Sequence, residues 1–173
     1  MPSITATVVN ALKLDLNNFR TVRQVNEIKA IHSMISISPA WFWALTESLL
    51  DDGYHLTENI IVLKSGSNGQ DLIVKEGNRR VGALKLILGL IKCDQIQLPS
   101  HLEKKVADLP AEWKRANSEV PCAVYEAEEF AKVDRIVTLT HATAELAGRD
   151  EWNSVARARY SRDKNGKNEP ALD

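Results

Sequence analysis

One stretch limits what this chain can fold into: Asp71-Leu-Ile-Val-Lys-Glu-Gly-Asn-Arg-Arg-Val-Gly-Ala-Leu-Lys-Leu-Ile-Leu88. Leu72, Ile73 and Val74 form a short apolar run rich in β-branched residues, which predicts a buried strand. Gly77 allows a sharp turn with positive φ. Val81, Leu84, Leu88 and Ile91 recur at helical spacing, so a helix must begin directly after that glycine. The first turn of such a helix has free N–H groups and the positive end of the dipole. Arg79 and Arg80 fall in that turn and add two guanidinium forks to an anion-binding end. Two readings of the pair stand at this point. They bind a phosphate, or they belong to a solvated face, since cations at a helix N-terminus are favourable only where an anion joins them.

The 173 residues suit one domain with a terminal extension, and 44% hydrophobic with 26% charged residues is an ordinary globular balance. A net charge of −1 excludes a surface that is basic throughout, so any anion site must be local. Cys93 and Cys122 lie far apart, without metal-ligand spacing, and read as reduced, partly buried residues of a cytoplasmic protein. The sequence shows no signal-peptide pattern and no apolar run of the roughly 20 residues that a membrane span needs.

Taken in order, residues 1–11 read as a lead-in with strand character from Ile4 to Val9, and Leu12–Leu16 as a short strand. Asn17–Arg20 follows as a polar turn. Val22, Val25, Ile28, Ile31 and Ile35 predict a helix over about 21–35, with His32 half-buried in it. Ser38-Pro39 signals the next helix start and Gly53 its stop. Trp41, Phe42, Leu45 and Leu49 are expected on its core side, with Trp43 partly exposed. Strands are expected at 59–63 and 71–75, joined by a hairpin through Ser65–Gln70. Helical turns are expected across 99–118, broken at Pro110. A third strand covers 120–125, with Pro121 at its start or at a sheet edge. A helix follows from about Glu128, then another over 151–162, and 163–173 is a polar tail or linker. The expected fold class is α+β, a small mixed sheet packed by helices.

This order of pieces resembles the ParB/sulfiredoxin superfamily, specifically ParB N-terminal-like domains, over roughly residues 12–160. Three segments carry the likeness. Leu14-Asp-Leu-Asn-Asn-Phe-Arg20 is similar to an early Asn-x-Arg box. Ile73–Lys85 is similar to the Gly-Glu-Arg-Arg box that opens a helix and holds nucleotide phosphates. Thr140–Trp152, with Ala156 and Tyr160, occupies the place of the Glu-Asn-x-x-Arg box. Asn78 stands where the family has glutamate, and the Glu-Asn pair of the third box is absent, with His141 nearby. An amide can hydrogen-bond a phosphate or a metal but is no base. The central turn also has no cysteine, which excludes sulfiredoxin activity.

The resemblance implies a nucleoside triphosphate site, for CTP or ATP and with Mg²⁺ as an optional companion, in a DNA-associated protein of bacterial or phage type. Arg20, Gly77, Asn78, Arg79 and Arg80 would hold the phosphates, and the domain would act as a switch. Glu76 and His141 are the candidates for catalysis, with Glu145 and Asp150 behind them. His141 at a helix end would be a poor base, so binding without fast hydrolysis is expected. DNA contact is expected through another region or chain, and a homodimer is among the partners implied. An ATP-dependent phosphotransferase or nuclease on the same fold is the second reading. Direct DNA binding through Arg157–Arg162, with Lys164 and Lys167, is the third.

Overall fold

The computed structural model describes residues 3–17, 23–92 and 95–141. Five strands form one mixed sheet: β1 (Ser3–Val8), β2 (Leu12–Leu14), β3 (Ile60–Ser65), β4 (Asp71–Glu76) and β5 (Glu119–Tyr125), in the order β1-β5-β3-β4-β2. The hairpin β3–β4 is antiparallel, with Gly66 and Gly69 both at positive φ in its loop. On one side β2 runs parallel to β4, with Leu14 opposite Val74. On the other, β5 runs parallel to β3 and antiparallel to β1. The expected α+β architecture is therefore present.

The helices are α1 (Glu27–Ile37), α2 (Pro39–Asp52), α3 (Asn78–Ile87), α4 (Ser100–Ala107), α5 (Ala111–Ala116) and α6 (Phe130–His141). The chain divides into Met1–Asp134, which holds the whole sheet, and Arg135–Asp173, of which only the end of α6 is described. Within the first unit α3 is the central helix. Val81 through Ile87 are all buried, so it has no solvent face over that stretch. Gly82 makes this possible on one side: a Cβ there would sit 3.2 Å from Met34 Cε and 3.4 Å from Ile31 Cγ1 of α1. The core closes with Phe42 and Leu49 of α2 and with Ile60, Val62, Val74, Val120 and Cys122 of the sheet.

Several expectations need correction. The lead-in is a true strand, because Ser3–Val8 finds its partner in β5. The helix expected from about residue 21 starts at Glu27, where the Asn26 side chain accepts from the Lys29 N–H at 2.9 Å and caps it. His32 is exposed, with a ring nitrogen 2.6 Å from the Gln95 carbonyl. On α2 the buried positions are Phe42, Thr46, Leu49 and Leu50, a stripe that leaves Trp41 70% exposed. Trp43 is only partly exposed, as expected, and packs edge-on to Phe42 against the core. Ser38 precedes α2 but makes no side-chain cap. Of the two placements expected for Pro121, a sheet edge is excluded, since β5 is interior, and the residue lies near the strand's start, third in β5. The Val9 N–H bonds the Ser118 carbonyl, and the alternation of an antiparallel ladder then turns the Pro121 nitrogen toward β3. Pairing with β3 begins only at Cys122, so no ladder bond is lost.

Candidate functional site

The parallel pairing of β2 with β4 brings the carboxyl ends of both strands to one end of the sheet. The loop Asp15–Asn17 therefore runs beside the turn Lys75–Asn78. Gly77 opens α3 from the left-handed region, at φ 96°, and gives its first turn no side-chain cap. Only glycine fits. Besides the strained φ, a Cβ would penetrate the Cδ1 methyl of Ile60, a side chain with no exposure of its own. Next to this turn the β3–β4 register shifts between Ile61 and Val62, opposite the end of β4.

Asn78 is buried and its amide is used at both ends. Nδ2 donates to the Val74 carbonyl at 2.9 Å, and Oδ1 accepts from the Asp15 N–H at 2.9 Å. The side chain thus staples β4 to the exit of β2, and what it can offer a ligand is backbone. This also accounts for an amide here: a carboxylate could accept from Asp15 but would have no hydrogen for Val74. Asp15 is itself buried. Its carboxylate takes the ammonium of Lys75 on one oxygen and the Asn17 N–H at 3.0 Å on the other. Beyond it, the Gln24 N–H bonds the Leu16 carbonyl at 2.8 Å. The two flanks of segment 18–22 are therefore held together, while Arg20 lies outside the described residues.

A second ion pair ties α3 to the start of α1. Lys85 of α3 points its ammonium at both oxygens of Glu27, at 2.7 and 3.0 Å, and Glu27 Oε1 also accepts from the Leu14 N–H at 2.8 Å. Residues Asp15, Glu27, Lys75 and Lys85 were not singled out by the sequence reading. One signal was available: a lysine inside Ala83-Leu-Lys-Leu-Ile87 must find a buried counter-charge, because an unpaired buried ammonium is prohibitive.

The two arginines differ. Arg80 reaches back to the connection between α2 and β3, with Nη2 2.6 Å from Glu58 Oε2 and its guanidinium beside the Tyr54 hydroxyl. That hydroxyl donates to the Glu58 carbonyl. Burial pushes the Tyr54 phenol up to about 12, Arg80 opposing and Glu58 adding to the rise. A folded value above the unfolded one near 10 means that the neutral phenol is part of the fold. Its contribution is complete below about pH 10 and is lost as pH rises toward 12. Alkaline unfolding followed by circular dichroism should show this loss, and Tyr54→Phe should flatten the profile between those limits. A wild-type profile already flat there would refute it.

Arg79 is half-buried and, like Glu76, already engaged by other groups of the protein. His141 ends α6, in the second unit, and is exposed. Glu145 and Asp150 lie outside the described residues, as do the segments 151–173 and Cys93. The structure therefore brings together Gly77, Asn78, Arg79 and Arg80 with Asp15 and Lys75. Among the described residues no group of three or more His, Cys, Asp or Glu is placed to hold a metal ion, and no helix is long and apolar enough to cross a membrane.

No family model and no curated protein matches the chain. Among solved structures it is similar to the C-terminally truncated chromosome-partitioning protein ParB from Caulobacter crescentus, complexed with CTP-gamma-S. The TM-score is 0.51 and the identity 14%, with 96% of this chain and 66% of that chain covered. The fold is ParB-like. At 14% identity the likeness is one of fold alone. The ParB-like chain spans about two-thirds of the length of the ParB chain it matches.

Proposed function

We propose that this ParB-like domain binds a nucleoside triphosphate at the start of α3 and serves as a switch within a DNA-associated protein. The observation that carries the reading is the turn itself. A left-handed Gly77 opens a helix whose first turn lacks a side-chain cap and bears Arg79 and Arg80. The N–H groups that open a helix, the dipole end and guanidinium forks are the elements of a phosphate cradle. The solved ParB structure, which holds CTP-gamma-S on a like fold, supports a nucleotide as ligand. Segment 18–22, flanked by Leu16 and Gln24, would bring Arg20 in from the side. DNA would be met through another region or chain. Triphosphate turnover would be slow, since Asn78 offers no base and its amide is already committed.

Calorimetric titration with CTP, ATP and GTP, with and without Mg²⁺, tests this. Arg79→Ala and Arg80→Ala should each weaken binding by about 1.5–3 kcal/mol, the size of a charge-assisted hydrogen bond. A phosphate would compete with Glu58 for the Arg80 guanidinium, so Glu58→Gln should tighten binding, by up to about 1 kcal/mol, since the pair is half-exposed. If no nucleotide binds at millimolar concentration, or if Glu58→Gln weakens binding as Arg80→Ala does, the site is a structural ion-pair cluster.

A further inference from the structure

The sheet has two edges, and they are built differently. At one, β2 is three residues long and carries Lys13, paired with Asp71 at 2.6 Å. Short length and a lysine are devices that keep an edge from pairing with another chain. At the other, β1 is twice as long and has neither charge nor proline nor register break from Ser3 to Val8. Its residues are almost all exposed, Ile4 by 67% and Val8 by 45%. The bond from the Val9 N–H to the Ser118 carbonyl fixes which backbone groups face β5. Residues 3, 5 and 7 bond inward, and Ile4, Ala6 and Val8 turn their N–H and C=O groups outward.

We propose that this edge pairs with β1 of a second copy of the chain, antiparallel and centred on Ala6. That register matches every outward-facing backbone group to another. Ile4 meets Val8 of the second copy, Ala6 meets Ala6 and Val8 meets Ile4, each pair closing two N–H···O=C bonds. Between them Thr5 falls opposite Thr7 in the positions where side chains come closest, a favourable pairing of like hydroxyls. The strand is thus complementary to itself in backbone, in side-chain size and in charge, and two copies would form one continuous sheet about a two-fold axis. The edge lies on the far side of β5 and β3 from β4, so pairing needs no nucleotide and does not rest on the proposed phosphate site.

The test is sedimentation velocity on the full chain without nucleotide, with a charge swap at the axis. Wild type should show a concentration-dependent dimer. Ala6→Lys and Ala6→Glu each place two like charges face to face, and each should raise the dimer Kd by about tenfold or more. Ala6 is exposed and its N–H is not used by β5, so both variants should keep the wild-type circular dichroism and melting temperature. An equimolar mixture of the two should restore the dimer. A wild type that stays monomeric to millimolar concentration would overturn the proposal. So would single variants that dimerise as wild type does, or a mixture no more associated than its components.

Discussion

Replacing Glu27 with alanine should lower the unfolding free energy by about 3 kcal/mol. Breaking one side of a buried ion pair typically costs about 3–5 kcal/mol, because the remaining charge is stranded. Lys85 would be stranded in this way, being almost fully buried in the central helix. The lower end of the range applies because the Glu27 side chain is itself 32% exposed, so water can enter beside the ammonium. The Leu14 N–H would lose its acceptor as well. Urea titration of the single variant gives the number, and a second substitution gives the mechanism. Lys85→Met in the Glu27→Ala background removes the stranded charge and should recover most of the loss. If the double variant is less stable than the single one, the pair is not what couples α1 to α3.

Gly77→Ala should cost about 2–4 kcal/mol. An alanine in the left-handed region contributes about 1–3 kcal/mol of strain, and the overlap with Ile60 adds overpacking of similar size. The internal control is Gly69→Ala. Gly69 also has a positive φ, at 62°, but a Cβ there meets nothing within 4 Å. Its cost should be about 1 kcal/mol, and the difference between the variants isolates the contact with Ile60. Equal losses at the two positions would mean that Ile60 yields without penalty.

The parts of this fold that could be read in the sequence are those whose cause is local. The β-branched run Leu72–Val74, the glycine turn and the helical spacing from Val81 lie within a few residues of one another, as does the Ser65–Gln70 hairpin. The parts that could not be read depend on distant partners. Ile4–Val9 had strand character, but its place in the sheet is set by β5, at the far end of the unit. Trp41 faces solvent instead of the core because which side of α2 is buried is fixed by its packing on α1 and α3. At the site the glycine and arginines were visible, since their positions follow from the turn. The inward direction of the Asn78 amide was not, because one of its partners is the Asp15 N–H, just past β2 and far earlier in the chain.

The pairing pattern also sets an order of assembly. Among the described residues only the β3–β4 hairpin joins strands that are neighbours in sequence, so it can close in microseconds, well before any longer-range pair. β2 is already synthesised when β4 appears and can dock parallel to it as α3 forms. The Gly77 turn and the pairs Asp15–Lys75 and Glu27–Lys85 can therefore be complete once residue 87 is made. β1 is different. It precedes everything else described, yet its partner β5 ends at Tyr125, so this uncharged strand must wait unpaired while nearly the whole unit is made. In a cell that interval, more than the finished structure, is when the segment is open to chaperones or to misassembly with a neighbouring nascent chain.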